Sequence, residues 1–237
     1  MALRIAFDID GVVADMEGEL VRQAKQLFGE VAGTLGAAPS LQATDDDVPA
    51  QEPPAVESLN LTPRQQRKLW RHVESIENFW EQLEETEHGV IARLAALAAD
   101  RRWETIFLTK RPRTAGATAQ IQTQRWLQAK GYPLPSVYVV QGSRGRIAAA
   151  LGVDIVVDDR PENCLDVVVD SKSRAILVWR ADEQQLPPAT RRLGIGVVGS
   201  TNACLDVLTQ LEDANGADES IMSRVLRKLG LKESATA

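Results

Sequence analysis

Two aspartates stand two residues apart where a short apolar run ends: Leu3-Arg4-Ile5-Ala6-Phe7 leads into Asp8-Ile9-Asp10-Gly11. In extended chain alternate side chains share a face, so Asp8 and Asp10 point one way and Ile9 the other. Gly11 lets the backbone turn sharply away and leaves both carboxylates at the tip. Two later apolar runs also end in reactive side chains. Ile106-Phe107-Leu108 precedes Thr109-Lys110-Arg111-Pro112, and Ile155-Val156-Val157 precedes Asp158-Asp159-Arg160-Pro161. Ligands of an open parallel sheet bind beyond the carboxyl ends of its strands, so the three ends are expected to converge on one site. Carboxylates gathered there repel one another unless a cation neutralises them. The all-oxygen set Asp8, Asp10, Asp158 and Asp159 suits Mg²⁺ better than zinc. Mg²⁺ held by carboxylates and a substrate phosphate points to phosphoryl chemistry. An Asp-x-Asp-Gly alone also occurs in turns and calcium loops. The calcium-loop pattern fails here, because Gly11, Val12 and Val13 fall where later ligands and the turn glycine belong.

The elements that must position these residues are legible as an alternation. Strands are expected at 3–7, 106–108, 137–140, 155–157, 175–179 and 195–198. Helices are expected at 115–130, 146–151, 162–169 and 202–211. Strands alternating with helices imply an α/β fold, a mainly parallel Rossmann-like sheet covered by helices. Between its first and second strands lies a long helical insert. Met16–Phe28 reads as one helix, and Thr62-Pro63 opens another as N-cap and first residue. A further helix carries Phe79, Trp80 and Leu83, and Val90–Ala99 has an apolar face. Residues 31–58 are rich in Ala, Gly, Pro and Ser, include Asp45-Asp46-Asp47, and read as a flexible loop. The expected organisation is a core of residues 1–14 and 101–211, a helical cap of 15–100, and a tail or last helix over 212–237.

Composition narrows the function classes. The 237 residues suit one core domain with an insert. A net charge of -6 argues against a nucleic-acid polymer as partner. It does not argue against a small phosphorylated substrate, since one bound cation inverts the local field. The two cysteines, Cys164 and Cys204, have neither disulfide-framework nor zinc spacing and read as buried thiols. No signal peptide or membrane span is visible, and the expected location is the cytoplasm.

In their order, Phe7-Asp8-Ile9-Asp10-Gly11-Val12, Leu108-Thr109 and Val157-Asp158-Asp159 resemble the first, second and fourth motifs of the haloacid dehalogenase (HAD)-like superfamily. The resemblance covers residues 1–14 and 101–180. It implies that Asp8 is the nucleophile and forms an aspartyl-phosphate. Asp10 would protonate the leaving group and then activate water. The superfamily's dehalogenases lack that second Asp and need no metal, which favours a phosphatase. Asp158, helped by Asp159, would complete the Mg²⁺ site, and Thr109 would bind phosphoryl oxygens. The third motif normally carries a Lys. Here Arg144 of Gly142-Ser143-Arg144-Gly145-Arg146 matches best, with Arg146 and Lys110 as alternatives. Arg binds phosphate bidentately and is not equivalent to Lys. Lys110 either adds a phosphate contact or projects into solvent.

Phe79-Trp80, Leu83 and Gly89-Val90, followed by Leu108-Thr109-Lys110-Arg111-Pro112, look like the 5'(3')-deoxyribonucleotidase branch (5'-nucleotidase, deoxy, type C). There, cap aromatics stack on the base, which implies substrate contact by Phe79 or Trp80. Adjacent helical residues diverge by about 100°, so only one of the two would face the site. His72 and His88 read as surface or packing residues. The expected activity is Mg²⁺-dependent hydrolysis of a small phosphomonoester, foremost a deoxynucleoside monophosphate. The alternatives are a sugar-phosphate phosphatase and a non-catalytic nucleotide- or phosphate-binding regulator of the same fold.

Overall fold

The apolar runs become parallel strands in the computed structural model, which describes residues 3–29 and 61–215. They are β1 (Arg4–Asp8), β2 (Glu104–Thr109), β3 (Ser136–Val139), β4 (Ile155–Asp158), β5 (Arg174–Val178) and β6 (Gly196–Val198). The sheet order is β3-β2-β1-β4-β5-β6, and every pairing is parallel. Parallel neighbours need crossover connections, and helices supply them. After β2 come α4 (Ala119–Ala129), α5 (Arg144–Leu151), α6 (Pro161–Asp170), α7 (Pro188–Arg192) and α8 (Thr201–Asn215). The order reverses between β1 and β4, and a crevice opens beyond the carboxyl ends of strands at such a point. Asp8 ends β1 and Asp158 ends β4, so the register itself delivers both carboxylates to that crevice.

The segment between β1 and β2 contributes α1 (Met16–Phe28), α2 (Pro63–Ser75) and α3 (Val90–Arg101). Each of the first two starts at a side-chain cap. Asp15 accepts from Gly18 N at 2.9 Å, and Thr62 and Gln65 form a reciprocal capping box. Leu20 and Ala24 of α1 are buried, as are Leu69, Trp70 and Val73 of α2. One continuous apolar cluster joins these residues to α3, the 79–83 segment, α4 and the sheet.

Local differences from expectation have physical causes. Phe79–Glu81 is a single 3-10 turn rather than a helix, preceded by Asn78 in the left-handed conformation (φ 52°). The helix expected from residue 115 begins at Ala119, after Gly116 at φ +89° and a Thr118 cap. The helix expected from residue 146 begins earlier, at Arg144, capped by Ser143 accepting from Arg146 N at 3.1 Å. α7 was not expected from the sequence pattern. Cys164 and Cys204 are buried free thiols. The expected loop 31–58 and nearly all of the tail lie outside the described residues.

Helices α5 and α6 approach so closely that Gly145 is the only residue that fits. A Cβ there would collide with the carbonyl oxygen of Asp166 and lie 2.7 Å from the Cβ of Asp170. Gly145→Ala is expected to cost about 1–3 kcal/mol through overpacking, seen as a lower urea midpoint with an unchanged slope. A variant as stable as wild type would contradict this packing.

Candidate active site

The turn after β1 is fixed before any ligand arrives. Gly11 adopts φ +82°, and a Cβ there would land on the Asp159 carboxylate. Gly11 N donates to Ala14 O at 2.9 Å, and Val13 and Ala14 both donate to Ile9 O. Ile9 is fully buried, whereas Asp8 and Asp10 face a cavity of about 570 Å³. Arg180 reaches across from the end of β5 and donates to the carbonyls of Gly11 and Val12. Thr201 and Thr86 also donate to Val12 O, at 2.5 and 2.7 Å. Glu87 ties this brace to the start of α8, accepting from Thr201 N, Asn202 N and Arg180. These bonds hold its carboxyl below the ordinary value in spite of partial burial.

Three carboxyls here are pushed upward. Asp8 lies well above its ordinary value, first through burial and then through Asp158, against the pull of Arg144. Asp158 is raised by burial, although Arg144, Asn163 and Arg160 favour its charge. Asn163 Nδ2 donates to both Asp158 oxygens at 3.0 and 3.1 Å, and Arg160 N donates at 2.9 Å. Asp159 is pushed up to about 7 by burial and by Asp158. Asp159 lines the cavity together with Asp8 and Asp10, whereas Asp158 is fully buried behind it.

The three candidates for the third-motif cation separate cleanly. Arg144, 2% exposed, donates Nη2 to Asp8 Oδ1 and places Nε 3.5 Å from Asp158 Oδ2. Its Nη1 is buried without a hydrogen-bond partner while the residue lines the cavity. Arg146 points out of the site, with an 83% exposed side chain 3.7 Å from Asp170. Lys110 is exposed at the cavity rim.

Two expectations are corrected. Thr109 does not face the cavity. It is fully buried, and its Oγ1 donates to Asp10 Oδ2 at 3.0 Å and accepts from Arg111 N at 3.2 Å. Phe79 and Trp80 are both fully buried and do not line the cavity, so neither has surface to offer a substrate. Trp80 instead donates Nε1 to Pro112 O at 3.1 Å and stacks on the Arg111 guanidinium. The aromatic rings on the cavity wall are Trp70 of α2 and Trp179 beyond β5. Sequence reading also passed over Arg111, Asn163 and Arg180. An Arg two residues after the strand-end Thr109 was the one available signal for Arg111.

Among the described residues, no group of three or more Asp, Glu, His or Cys side chains forms a ready metal cage. Mg²⁺ does not demand one, because it is held by one or two carboxylates, waters and substrate phosphate. Asp8 and Asp159 fit that donor set: both are oxygen ligands, both face the cavity, and both are raised by burial first and then by neighbouring carboxylates, Asp158 foremost.

A family model described as "5' nucleotidase, deoxy (Pyrimidine), cytosolic type C protein" matches residues 2–184. A search of curated proteins finds no match. Among solved structures, a Thermotoga maritima protein described as a beta-phosphoglucomutase aligns with TM-score 0.53 at 17% identity, over 88% of this chain and 99% of that one. A hydrolase from Pseudomonas syringae aligns with TM-score 0.50 at 16% identity, over 89% and 98%. A HAD family hydrolase from Deinococcus radiodurans R1, with bound phosphate and sodium, aligns with TM-score 0.50 at 16% identity, over 90% and 96%. At these identities the structural likeness speaks for the fold.

The Asp159 carboxyl gives a pH signature. Its value near 7 exceeds the ordinary 3.8, so between these values the folded chain holds a proton that the unfolded chain has lost. Without metal, this group therefore contributes stability that is lost as pH rises through about 7. The difference in unfolding free energy between wild type and Asp159→Asn is expected to move against wild type from about pH 4.5 to about pH 8 in chelator. Urea titrations check this, and a difference independent of pH would contradict it.

Proposed function

The chain belongs to the 5' nucleotidase, deoxy (pyrimidine), cytosolic type C family and is a phosphomonoester hydrolase of the HAD-like fold; on that premise we propose that it cleaves a deoxynucleoside monophosphate by attack of Asp8 on phosphorus. The observation that carries this reading is the position of Asp8. It faces the cavity beside a buried Arg144 whose Nη1 is unspent.

The proposed chemistry has two halves. An Asp8 carboxylate oxygen forms a bond to phosphorus while the bond from phosphorus to the leaving oxygen breaks. Asp10 gives its proton to that oxygen and the nucleoside departs. Asp10, now ionised, takes a proton from water as the water oxygen attacks the aspartyl-phosphate. Inorganic phosphate leaves and Asp8 is restored. Arg144 serves as the phosphate-binding residue and offers Nη1 to the non-bridging oxygens, where charge-assisted bonds are strongest. Lys110 at the rim draws the anion in from solvent. Thr109 acts through Asp10 rather than on phosphate.

Mg²⁺, held by Asp8 and Asp159, would supply the charge that offsets repulsion between nucleophile and phosphate. Asp159 takes precedence over Asp158 in this role, because Asp158 is occupied by Asn163 and Arg144. The insert, residues 15–100, works as the cap over the sheet domain. Met16, Leu20 and Trp70 come from it to the cavity, and Trp179 faces them from the core side. These apolar and aromatic walls suit a flat base and replace Phe79 and Trp80 in the stacking role. No helix among the described residues is long and apolar enough to cross a membrane, and the family description supports a cytosolic location.

Phosphate release from a panel of nucleoside monophosphates and sugar phosphates tests this reading. Asp8→Asn is expected to lose activity on the order of 10⁴-fold or more, and chelator to abolish it reversibly. Activity that survives in Asp8→Asn would remove the nucleophile assignment, and a preference for sugar phosphates would remove the nucleotide assignment. Trp179→Ala is expected to raise KM for the preferred nucleotide about 10-fold, the worth of one stacking contact. An unchanged KM would place the base elsewhere.

A further inference from the structure

Arg111 is held on every side of its guanidinium. Its guanidinium is fully buried, while the Asp10 side chain keeps 13% exposure. Nε donates to both Asp10 oxygens at 3.0 Å, and Nη2 donates to Oδ1 at 2.7 Å. Nη1 faces the other way, donating to Thr123 Oγ1 of α4 at 2.8 Å. The guanidinium carbon lies 4.8 Å from the Trp80 ring centroid and 5.7 Å from that of Trp126. Both indoles are themselves anchored. Trp80 Nε1 bonds Pro112 O, and Trp126 Nε1 bonds Leu83 O at 2.7 Å. Thr109 completes the cradle, donating to Asp10 Oδ2 and accepting from Arg111 N.

A buried ion pair is a poor device for stability. Apolar side chains of equal volume often do as well or better, because desolvation consumes the Coulombic gain. What a planar, anchored fork does supply is direction. A carboxylate held on both oxygens cannot rotate about its side-chain torsions, and Lys could not impose the same geometry. We propose that Arg111 is a positioning residue that holds the Asp10 carboxyl in line for proton transfer to and from the leaving-group oxygen. The proposal rests on the reading of Asp10 as general acid and base. In its terms, the aromatic pair Trp80 and Trp126 fixes Arg111, and Arg111 fixes the catalytic carboxyl. The proton path is the one already described: Asp10 to the departing oxygen as the phosphorus–oxygen bond breaks, then water to Asp10.

Leaving-group dependence tests this, because loss of mere structure slows all substrates together. The substrates are a nucleoside 5'-monophosphate, whose alkoxide needs a proton, and p-nitrophenyl phosphate, whose phenolate leaves without one. Read as the single-turnover rate of leaving-group release, before the aspartyl-phosphate is hydrolysed, Arg111→Met is expected to lower the nucleotide rate about 100-fold, the scale of general acid catalysis, and the p-nitrophenyl phosphate rate less than about 10-fold. Arg111→Lys restores part of the nucleotide rate. Thr123→Val, which frees only the far end of the guanidinium, shifts the ratio of the two rates in the same sense by a smaller factor. If Arg111→Met does not fold, as judged by circular dichroism, the Lys and Val variants decide. Equal losses on both substrates in every folded variant, or no loss in any, would overturn the role. Failure of the underlying reading looks different: it shows in the wild type's inactivity on both substrates, or in an Asp10→Asn variant that slows both equally. Either result removes the general acid itself and the role of Arg111 with it.

Discussion

Negative charge crowded at the carboxyl edge of the sheet is the constraint on which the rest of the site depends. Asp8 and Asp158 end adjacent parallel strands, Asp10 follows within one turn, and Asp159 lies against Gly11. Burial penalises each charge, and proximity penalises them again; these causes raise Asp8 and Asp159, with burial first in each. Two guanidinium groups answer from opposite sides. Arg144 sits between Asp8 and Asp158, and Arg111 grips Asp10. Asp159 is opposed by Arg160 and still stays raised to about 7, on a cavity face it shares with Asp8, Asp10, Lys110 and Arg144. Carboxyls raised by burial and crowding thus share one cavity with buried Arg144 donors that have no hydrogen-bond partner.

The backbone around this charge is correspondingly overdetermined. The chain leaves the sheet through residues 11–15 and returns through 84–87, and the two crossings are bonded to each other. Asp15 N donates to Glu84 O, Thr86 N donates to Val13 O, and Ala14 bridges Glu85. Glu85 also caps α3, accepting from Gly89 N and Ile91 N. Arg180, Thr201 and Glu87 fasten the same crossings to the far half of the sheet. The insert therefore does not hang from a loose tether. Whatever freedom α1 and α2 have over the cavity starts from a junction whose carbonyls are already spoken for.

How much of this was legible in the sequence depends on whether the signal was local. The strand ends at Asp8, Thr109 and Asp158 were readable, since each closes a short β-rich run and the parallel topology brings them together. Gly11 was readable because the turn needs a positive φ. Arg144 was the best match by resemblance, but what separates it from Arg146 physically is where α5 begins. A start at Arg144 buries that side chain and sends Arg146 to solvent. Thr109 was placed correctly on the strand but given the wrong partner, for nothing local records that Asp10 would compete for its hydroxyl. Arg180 and Glu87 act across long sequence separations and leave no periodic trace.

Phe79 and Trp80 show why aromatic residues near a site are hard to assign from sequence. Large rings are favoured wherever much surface must be buried, and a ring that touches a cation behaves in sequence like one that touches a base. Asn78 turns the chain so that Phe79 and Trp80 pack edge to face, 4.9 Å apart, inside the core. There the indole face of Trp80 meets Arg111 rather than a ligand. Its polar edge is satisfied by Pro112 O, on the same loop that carries Arg111, and its backbone N by Gln122 of α4. The ring is thus bolted to the element it supports. A residue fixed in this way gains nothing from contact with a mobile substrate. Trp179, by contrast, keeps a partly exposed face that borders the cavity. Buried rings thus hold the charged groups still, while Trp70 and Trp179 border the cavity.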